Sequence, residues 1–308
     1  MSYRIDPRQP LTSEVRRIVA EEIDGALEHL AAARDDPDKN LHECRKRLKS
    51  LRALLCLVRS GDKAFFRAEN ARYREVSARL AGPREAAALI ETVDRLAEAF
   101  PDETAGGALD PVRDRLVARR DGIVNKGAGT AIDAAVASSK AGLKQIGKLA
   151  LPGQSESAAD ILADGFRRTM RRARKAFDHA KTRGTPEDFH ELRKALKAHS
   201  KHLSLLRTLW PTPVKAERKD VDALAEELGD LHDIFVLRAL LKDKDQPLGG
   251  ASETRLLGRL SKRSERRLGK ACLADASRLL HDRPKRSAKK VARKIRNDLA
   301  ELQPAAAP

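Results

Sequence analysis

His42-Glu43-Cys44-Arg45-Lys46-Arg47-Leu48-Lys49 and His190-Glu191-Leu192-Arg193-Lys194-Ala195-Leu196-Lys197 share one pattern, H-E-x-R-K-x-L-K. They lie 190 − 42 = 148 residues apart. The same offset relates Leu80-Ala81-Gly82-Pro83-Arg84-Glu85 to Leu228-Gly229-Asp230-Leu231-His232-Asp233. Two landmarks in one register argue for a duplicated unit, and the period is far too long for a solenoid repeat. The expected plan is two similar halves, each presenting one basic helix. A pseudo-twofold would set those helices across a common cleft.

At about 100° per residue, His42, Arg45, Lys46, Lys49 and Arg52 fall on one helix face, opposite Leu48, Leu51, Leu54, Leu55 and Val58. In the second copy His190, Arg193, Lys194, Lys197 and Lys201 share an arc of about 100°, opposite Leu192, Leu196, Leu203 and Leu206. The leucine stripe is what a helix buries. The basic face is less ordinary, because surface helices intersperse acids at i,i+4 to relieve repulsion. From His42 to Ser60 six Lys or Arg are opposed by Glu43 alone. A solvated basic face is the simpler reading of one such helix, and its repetition at fixed register tips the balance toward a site. His42 to Arg52 spans about 15 Å at 1.5 Å per residue, a ladder suited to successive phosphates of a chain.

Composition agrees. Hydrophobic residues make up 41%, supplied largely by Ala, Leu and Val, with 3% aromatic and 35% charged residues, which favours helix on helix over sheets. The fold class expected is all-α, with two pseudo-twofold-related helical bundles from an internal duplication. The 308 residues suffice to bury a core without a disulfide or metal staple. Lys and Arg exceed Asp and Glu by 62 − 45 = 17, and the pI is about 10.0. Such a balance predicts an anionic partner: nucleic acid, a membrane surface or polyphosphate. The first residues, Met1 to Arg8, carry no secretory signal, and no run approaches the ~18 apolar residues of a membrane span. A cytoplasmic protein without a membrane partner is expected. Cys44, Cys56 and Cys272 form no C-x-x-C pair and read as buried thiols.

Caps and breakers place the elements. Thr12-Ser13 opens a first helix, and Asp35-Asp36-Pro37-Asp38 ends it and caps the next, which runs to Ser60-Gly61. Further helices are expected over Ala64 to Leu80, Arg84 to Phe100, Leu109 to Lys126 and Ala131 to Leu149, with Gly82-Pro83, Pro101 and Gly127-Ala128-Gly129 between them. Pro152 to Ser157 reads as a linker. The second half gives Ala158 to Thr182, Pro186 to Leu209, Pro213 to Leu228, His232 to Leu241, Ser252 to Leu280 and Ser287 to Leu302. The halves are therefore 1–152 and 153–303, with 304–308 a disordered tail. Basic residues outside the motif add support: Arg171, in the row from Arg167 to Lys175, and Arg115 and Arg119, which map onto Arg263 and Arg267 at the same offset.

Competing chemistries fare less well. Gly142-Leu143-Lys144-Gln145-Ile146-Gly147-Lys148 fits most of a phosphate-binding loop, but Leu149 stands where Ser or Thr is needed and no strand precedes it. His42 and His190 as metal ligands would sit beside Arg45, Lys46, Arg193 and Lys194, which repel a cation, so no metal is expected. His199 and His202 lie nearer the apolar face, and Phe189 and Trp210 read as packing residues. His232-Asp233 reads as a helix start. Nucleic acid is the main rival, against which stand few aromatics for stacking and no recognised motif. No paired carboxylates or nucleophile triad stands out, so neither enzymatic activity nor a cofactor is expected.

The paired H-x-x-R-K-x-x-K copies, each followed by L-x-G or L-G leading to R-E or H-D, resemble the CHAD family, the histidine-bearing α-helical domains, over Leu11 to Leu302. The resemblance implies two helical bundles around a basic central groove that binds inorganic polyphosphate, with association with polyphosphate granules. It carries the family's basic-helix residues onto His42, Arg45, Lys46, Lys49 and Arg52, and onto His190, Arg193, Lys194, Lys197 and Lys201. The family's Arg-Asp element departs here, with Glu85 for its acid in the first half and His232 for its arginine in the second. No E-x-E-x-K segment of the triphosphate-tunnel domain, to which some members are fused, is present. Weak, salt-sensitive nucleic-acid binding is expected from charge alone, and divalent-metal binding ranks last.

Overall fold

Regular structure in the computed structural model is helical throughout the described residues, which are 3–125, 128–152, 155–208, 211–243, 247–281, 289–290, 293–294 and 296–297. The helices are α1 (Leu11–Ala32), α2 (Pro37–Leu57), α3 (Lys63–Arg79), α4 (Gly82–Ala99), α5 (Asp110–Asn125), α6 (Ala128–Gln145), α7 (Ser155–Thr182), α8 (Pro186–Leu205), α9 (Pro211–Leu240) and α10 (Ala251–Leu279). Adding 148 to the bounds of α2 gives 185–205, one residue from those of α8.

Local chemistry explains why the two motif helices begin where they do. Asp36 caps α2, its carboxylate accepting from the Lys39 amide at 3.3 Å, with Pro37 in the first turn. Thr185 caps α8 through a capping box with Asp188, again with a proline behind it. Each helix then buries its leucine stripe: Leu48, Leu51 and Leu54 in α2, and Leu192, Leu196 and Leu203 in α8. Full burial of a leucine is worth roughly 1.5–3 kcal/mol, enough to fix which face turns outward.

Two cores organise the chain. The larger gathers α1, α2, α3, α6, α7, α8, the first part of α9 and the end of α10. The smaller is built from Leu89, Val93 and Leu96 of α4, Val112 and Leu116 of α5, Ile234 and Leu237 of α9, and Leu257 and Leu260 of α10. Helices α4 and α5, from the first half, thus share a core with α9 and α10 from the second. One close approach sets the geometry of the larger core. A Cβ on Gly165 would lie 1.8 Å from the Leu57 carbonyl oxygen, so glycine alone lets α7 seat on the last turn of α2.

The sequence predicts a break after Leu228 and a new helix at His232; the chain instead runs unbroken through α9, and His232-Asp233 sits mid-helix. A glycine inside a helix costs only about 1 kcal/mol, and burial of Leu228 and Leu231 on either side of Gly229 outweighs it. Ala128 and Gly129 likewise lie within α6, which stops at Gln145 and tightens into a 3-10 turn over Ile146–Lys148, short of the expected Leu149. Ser155, placed by the sequence in a linker, already belongs to α7. Trp210, the tail 304–308 and most of the helix expected over Ser287 to Leu302 lie outside the described residues.

Candidate functional site

Helices α2 and α8 touch directly. His202, fully buried in α8, donates from Nε2 to the Ala53 carbonyl of α2 at 2.9 Å. Burial pushes its pKa down to about 4, so the ring is neutral. The N-terminal segment crosses the same junction: the Tyr3 hydroxyl donates to the Ser50 carbonyl of α2 at 2.6 Å, and the Ile5 amide to the Leu205 carbonyl of α8 at 2.9 Å.

The first basic face divides into outward and inward members. Lys46 and Lys49 are exposed, and Lys46 pairs with Glu43 at 2.8 Å. Arg45 instead turns in, donating to the Leu80 carbonyl at the end of α3 at 3.1 Å. Arg52 is half-buried and held by the neutral amide of Asn70, donating at 3.1 Å. Its charge is opposed by burial and by the nearby Arg74 and Arg172. His42 lines an open cleft of about 470 Å³ between α2, α4 and α5, with Lys39, Glu43, Ile90, Asp94 and Arg113.

The second face repeats this division. Lys194 is exposed and pairs with Glu191, which also takes a 2.8 Å bond from Arg172 of α7. Lys197 is half-buried. Arg193 lies over α9 at Gly229, where a Cβ would come within 3.1 Å of its Nη2. The His190 ring stacks on His232, centroids 4.5 Å apart and planes at 31°. Burial first, then Lys194 and Arg193, lowers the His190 pKa. Burial, His190 and Arg193 push His232 down to about 4. Lys201 is half-buried over the Tyr3 ring, 5.6 Å from its centroid. Burial lowers its pKa, Glu22 of α1 opposes that, and Lys46 of α2 adds to it.

Two of the supporting residues are held at other elements. Arg115 donates to the Pro247 carbonyl at 3.0 Å, and Arg263 pairs with Glu103 while lying 4.5 Å over the Phe100 ring. Both brace the smaller core. Arg119 is half-buried on α5, and Arg267 and Arg171 are exposed on α10 and α7. Absent from the sequence reading of the site is Arg172, whose tie to Glu191 and proximity to Arg52 bring α7 to both motif helices. Its signal is its i,i+4 spacing from Arg168, and its partners are visible only in three dimensions. His199 and His202 are buried, as their helix face predicts, and Phe189 packs against Phe235 at 5.9 Å. Among the described residues no group of three or more His, Cys, Asp or Glu side chains is placed to hold a metal. No described helix is long and apolar enough to cross a membrane.

An all-helical chain with two basic helices abutting at one junction defines the class. Comparison with known proteins sharpens it: the CHAD domain family model matches residues 17–242, and the chain belongs to that family. The crystal structure of the CHAD domain from the plant Ricinus communis has the same fold, with a TM-score of 0.65 and 18% identity over 91% of this chain and 94% of that one. Among curated proteins nothing matches.

Proposed function

We propose that this chain is a binding protein, not an enzyme, that holds inorganic polyphosphate along the basic faces of α2 and α8 and so associates with polyphosphate granules. The observation that carries the reading is geometric: the two basic helices α2 and α8 abut at a junction pinned by the buried bond of His202 to Ala53, which brings their cationic faces into one neighbourhood. Two basic faces in one neighbourhood repel unless an anion lies between them, and a flexible chain of phosphates supplies charge at many points. Lys46, Lys49, Lys194 and Lys197 are the outward contacts in this scheme. Arg45 ties α2 to the end of α3, Arg193 lies against α9, and His42, Arg52, His190 and Lys201 flank the track. The halves 1–152 and 153–303 are read as a duplicated unit with pseudo-twofold symmetry, supported by the matching bounds of α2 and α8 and by the corresponding positions of Arg45, bonded to the Leu80 carbonyl, and Arg193, lying against Gly229.

Nucleic acid offers the same backbone charge, but single-strand recognition adds exposed aromatic platforms. Among the described residues the exposed large hydrophobic is Val236, and Tyr73, Phe166, Phe177 and Phe189 are buried. The test is a titration of long-chain polyphosphate against charge-matched single-stranded DNA at physiological salt. Polyphosphate should bind more tightly by at least about tenfold, or 1.4 kcal/mol. Equal affinity would make the chain a nonspecific polyanion binder.

A further inference from the structure

Beside the lysine ladder, and sharing Arg52 with its flank, three helices bring arginines to one place. Arg52 and Cys56 stand at i and i+4 on α2, and Arg59 follows two residues past the end of that helix at Leu57. On α7, Arg168 and Arg172 stand at i and i+4, one and two turns beyond Gly165, the residue that seats α7 on Leu57. On α3, Asn70 and Arg74 repeat the spacing, and Asn70 accepts from Arg52. Four of these guanidinium groups, Arg52, Arg172, Arg59 and Arg168, act on the Cys56 thiol. The carboxylates tied to the cluster are Asp164, shared between Arg167 and Arg168, and Glu191, shared between Arg172 and Lys194. Arg52 is held by a neutral amide, Arg59 lies 4.9 Å over the Phe66 ring, and Arg168 Nε is buried without a hydrogen-bond partner among the described residues. Positive charge is in surplus, and at Arg52 and Arg168, the half-buried members, burial makes it costly.

The 148-residue offset shows that this is no by-product of the repeat. Positions 52, 56, 70, 74, 168 and 172 correspond to Ser200, Ser204, Arg218, Asp222, Ala20 and Asp24. There Asp222 takes both Ser200, at 2.5 Å, and Arg218, at 3.3 Å, and that network balances its own charge.

We propose that the arginine cluster of α2, α3 and α7 is a second anion site, for the compact, highly charged end of a condensed phosphate or for a short free oligophosphate. Guanidinium forks match phosphate oxygens two at a time, where lysine offers a point charge. The ladder would hold the length of a chain and the arginines its end. The ligand class rests on the polyphosphate reading; the site itself does not.

Cys56 is a built-in reporter. It is half-buried: burial pushes its thiol up, and the guanidiniums of Arg52, Arg172, Arg59 and Arg168 pull against that, whereas Cys44 and Cys272 are buried with thiols pushed up to about 12. A phosphate among the guanidiniums would cancel the field that favours the Cys56 thiolate and block its approach. On the full chain, alkylation of Cys56 by iodoacetamide, followed by peptide mass spectrometry, should slow with tripolyphosphate by about tenfold, the change that one unit of thiol pKa corresponds to. Orthophosphate should protect far less, and long polyphosphate, with few ends per phosphate, less per phosphate unit. Protection, taken as the ratio of rates without and with ligand, should vanish in R168A/R172A, return in part in R168K/R172K, and persist in K46A/K49A/K194A/K197A. An unchanged rate in the wild type, or equal protection of R168A/R172A, overturns the site. Long polyphosphate binding the lysine ladder without any oligophosphate protection defeats the arginine site alone. Protection by tripolyphosphate in a protein with no affinity for long chains defeats the earlier reading and leaves this one.

Discussion

His202 and Ala53 join the two motif helices through one buried hydrogen bond, Nε2 to carbonyl oxygen at 2.9 Å, with His202 Nδ1 left without a partner among the described residues. Protonation would place a charge in a fully buried site, and burial holds the folded pKa at about 4. An unfolded histidine titrates near 6.5. Between those values the unfolded chain holds more protons, so stability present above pH 6.5 is lost as pH falls toward 4 and then levels off. The loss traceable to His202 is on the order of 3 kcal/mol. Urea unfolding at pH 7 and pH 4.5 checks it: His202→Gln, which keeps a donor but does not titrate, should lose that much less. Equal losses in the two proteins would shift the acid sensitivity to other groups.

The His190 and His232 stack predicts a pH effect of opposite sign on binding. Both rings are held neutral by burial and by neighbouring cations. A polyanion drawn to Arg193 and Lys194 would favour their charged forms, so polyphosphate affinity should rise as pH falls from 7.5 to 5.5, with proton uptake. Calorimetry in buffers of different ionisation enthalpy measures that uptake. His232→Arg, which installs the residue type of Arg84 in the first half, should raise affinity at pH 7.5 and flatten the profile. A wild-type affinity independent of pH removes the pair from the binding surface.

Two glycines separate backbone necessity from tolerance. At Gly165 a methyl would meet the Leu57 carbonyl at 1.8 Å, backbone against backbone. Gly165→Ala should destabilise by about 3 kcal/mol or more, since overpacking exceeds the helix-propensity gain of about 1 kcal/mol. At Gly229 the same methyl meets only the far end of Arg193 at 3.1 Å, which can swing aside. Gly229→Ala should leave stability unchanged or raise it by up to about 1 kcal/mol. Thermal unfolding of the pair decides, and the reverse order would mean that the α7–α2 contact is looser than described.

These contrasts mark what could be read from the chain. The N-terminal caps and the leucine stripes are local, and the starts of α2 and α8 followed from them; their ends, expected at Ser60-Gly61 and Leu209, come earlier, at Leu57 and Leu205. Gly229 misled, because the helix is carried through it by the burial of Leu228 and Leu231 against other elements, which the local sequence does not show. The division of the basic face was hidden for the same reason. Arg45 and Lys46 are neighbours in sequence, yet only a structure tells that one turns to Leu80 and the other to solvent. The arginines of α7 meet α2 through Gly165, a contact with no local signature.

That division supplies the last prediction. Lys46→Ala/Lys49→Ala and Lys194→Ala/Lys197→Ala each remove two outward charges without touching Arg45 or Arg193, so helicity should hold, alanine being the better helix former. Each phosphate contact is weak and screened, hence log affinity should fall linearly with log salt, with a slope of about 0.7 per neutralised phosphate for a flexible strand. Either double variant should flatten that slope by about 1.4 and weaken polyphosphate binding. If one polyanion spans both helices, either pair alone should do much of the damage of all four. Lys289→Ala/Lys290→Ala removes the same charge from exposed positions elsewhere and serves as the control. Equal losses in control and motif variants would assign the binding to net charge and take it away from α2 and α8.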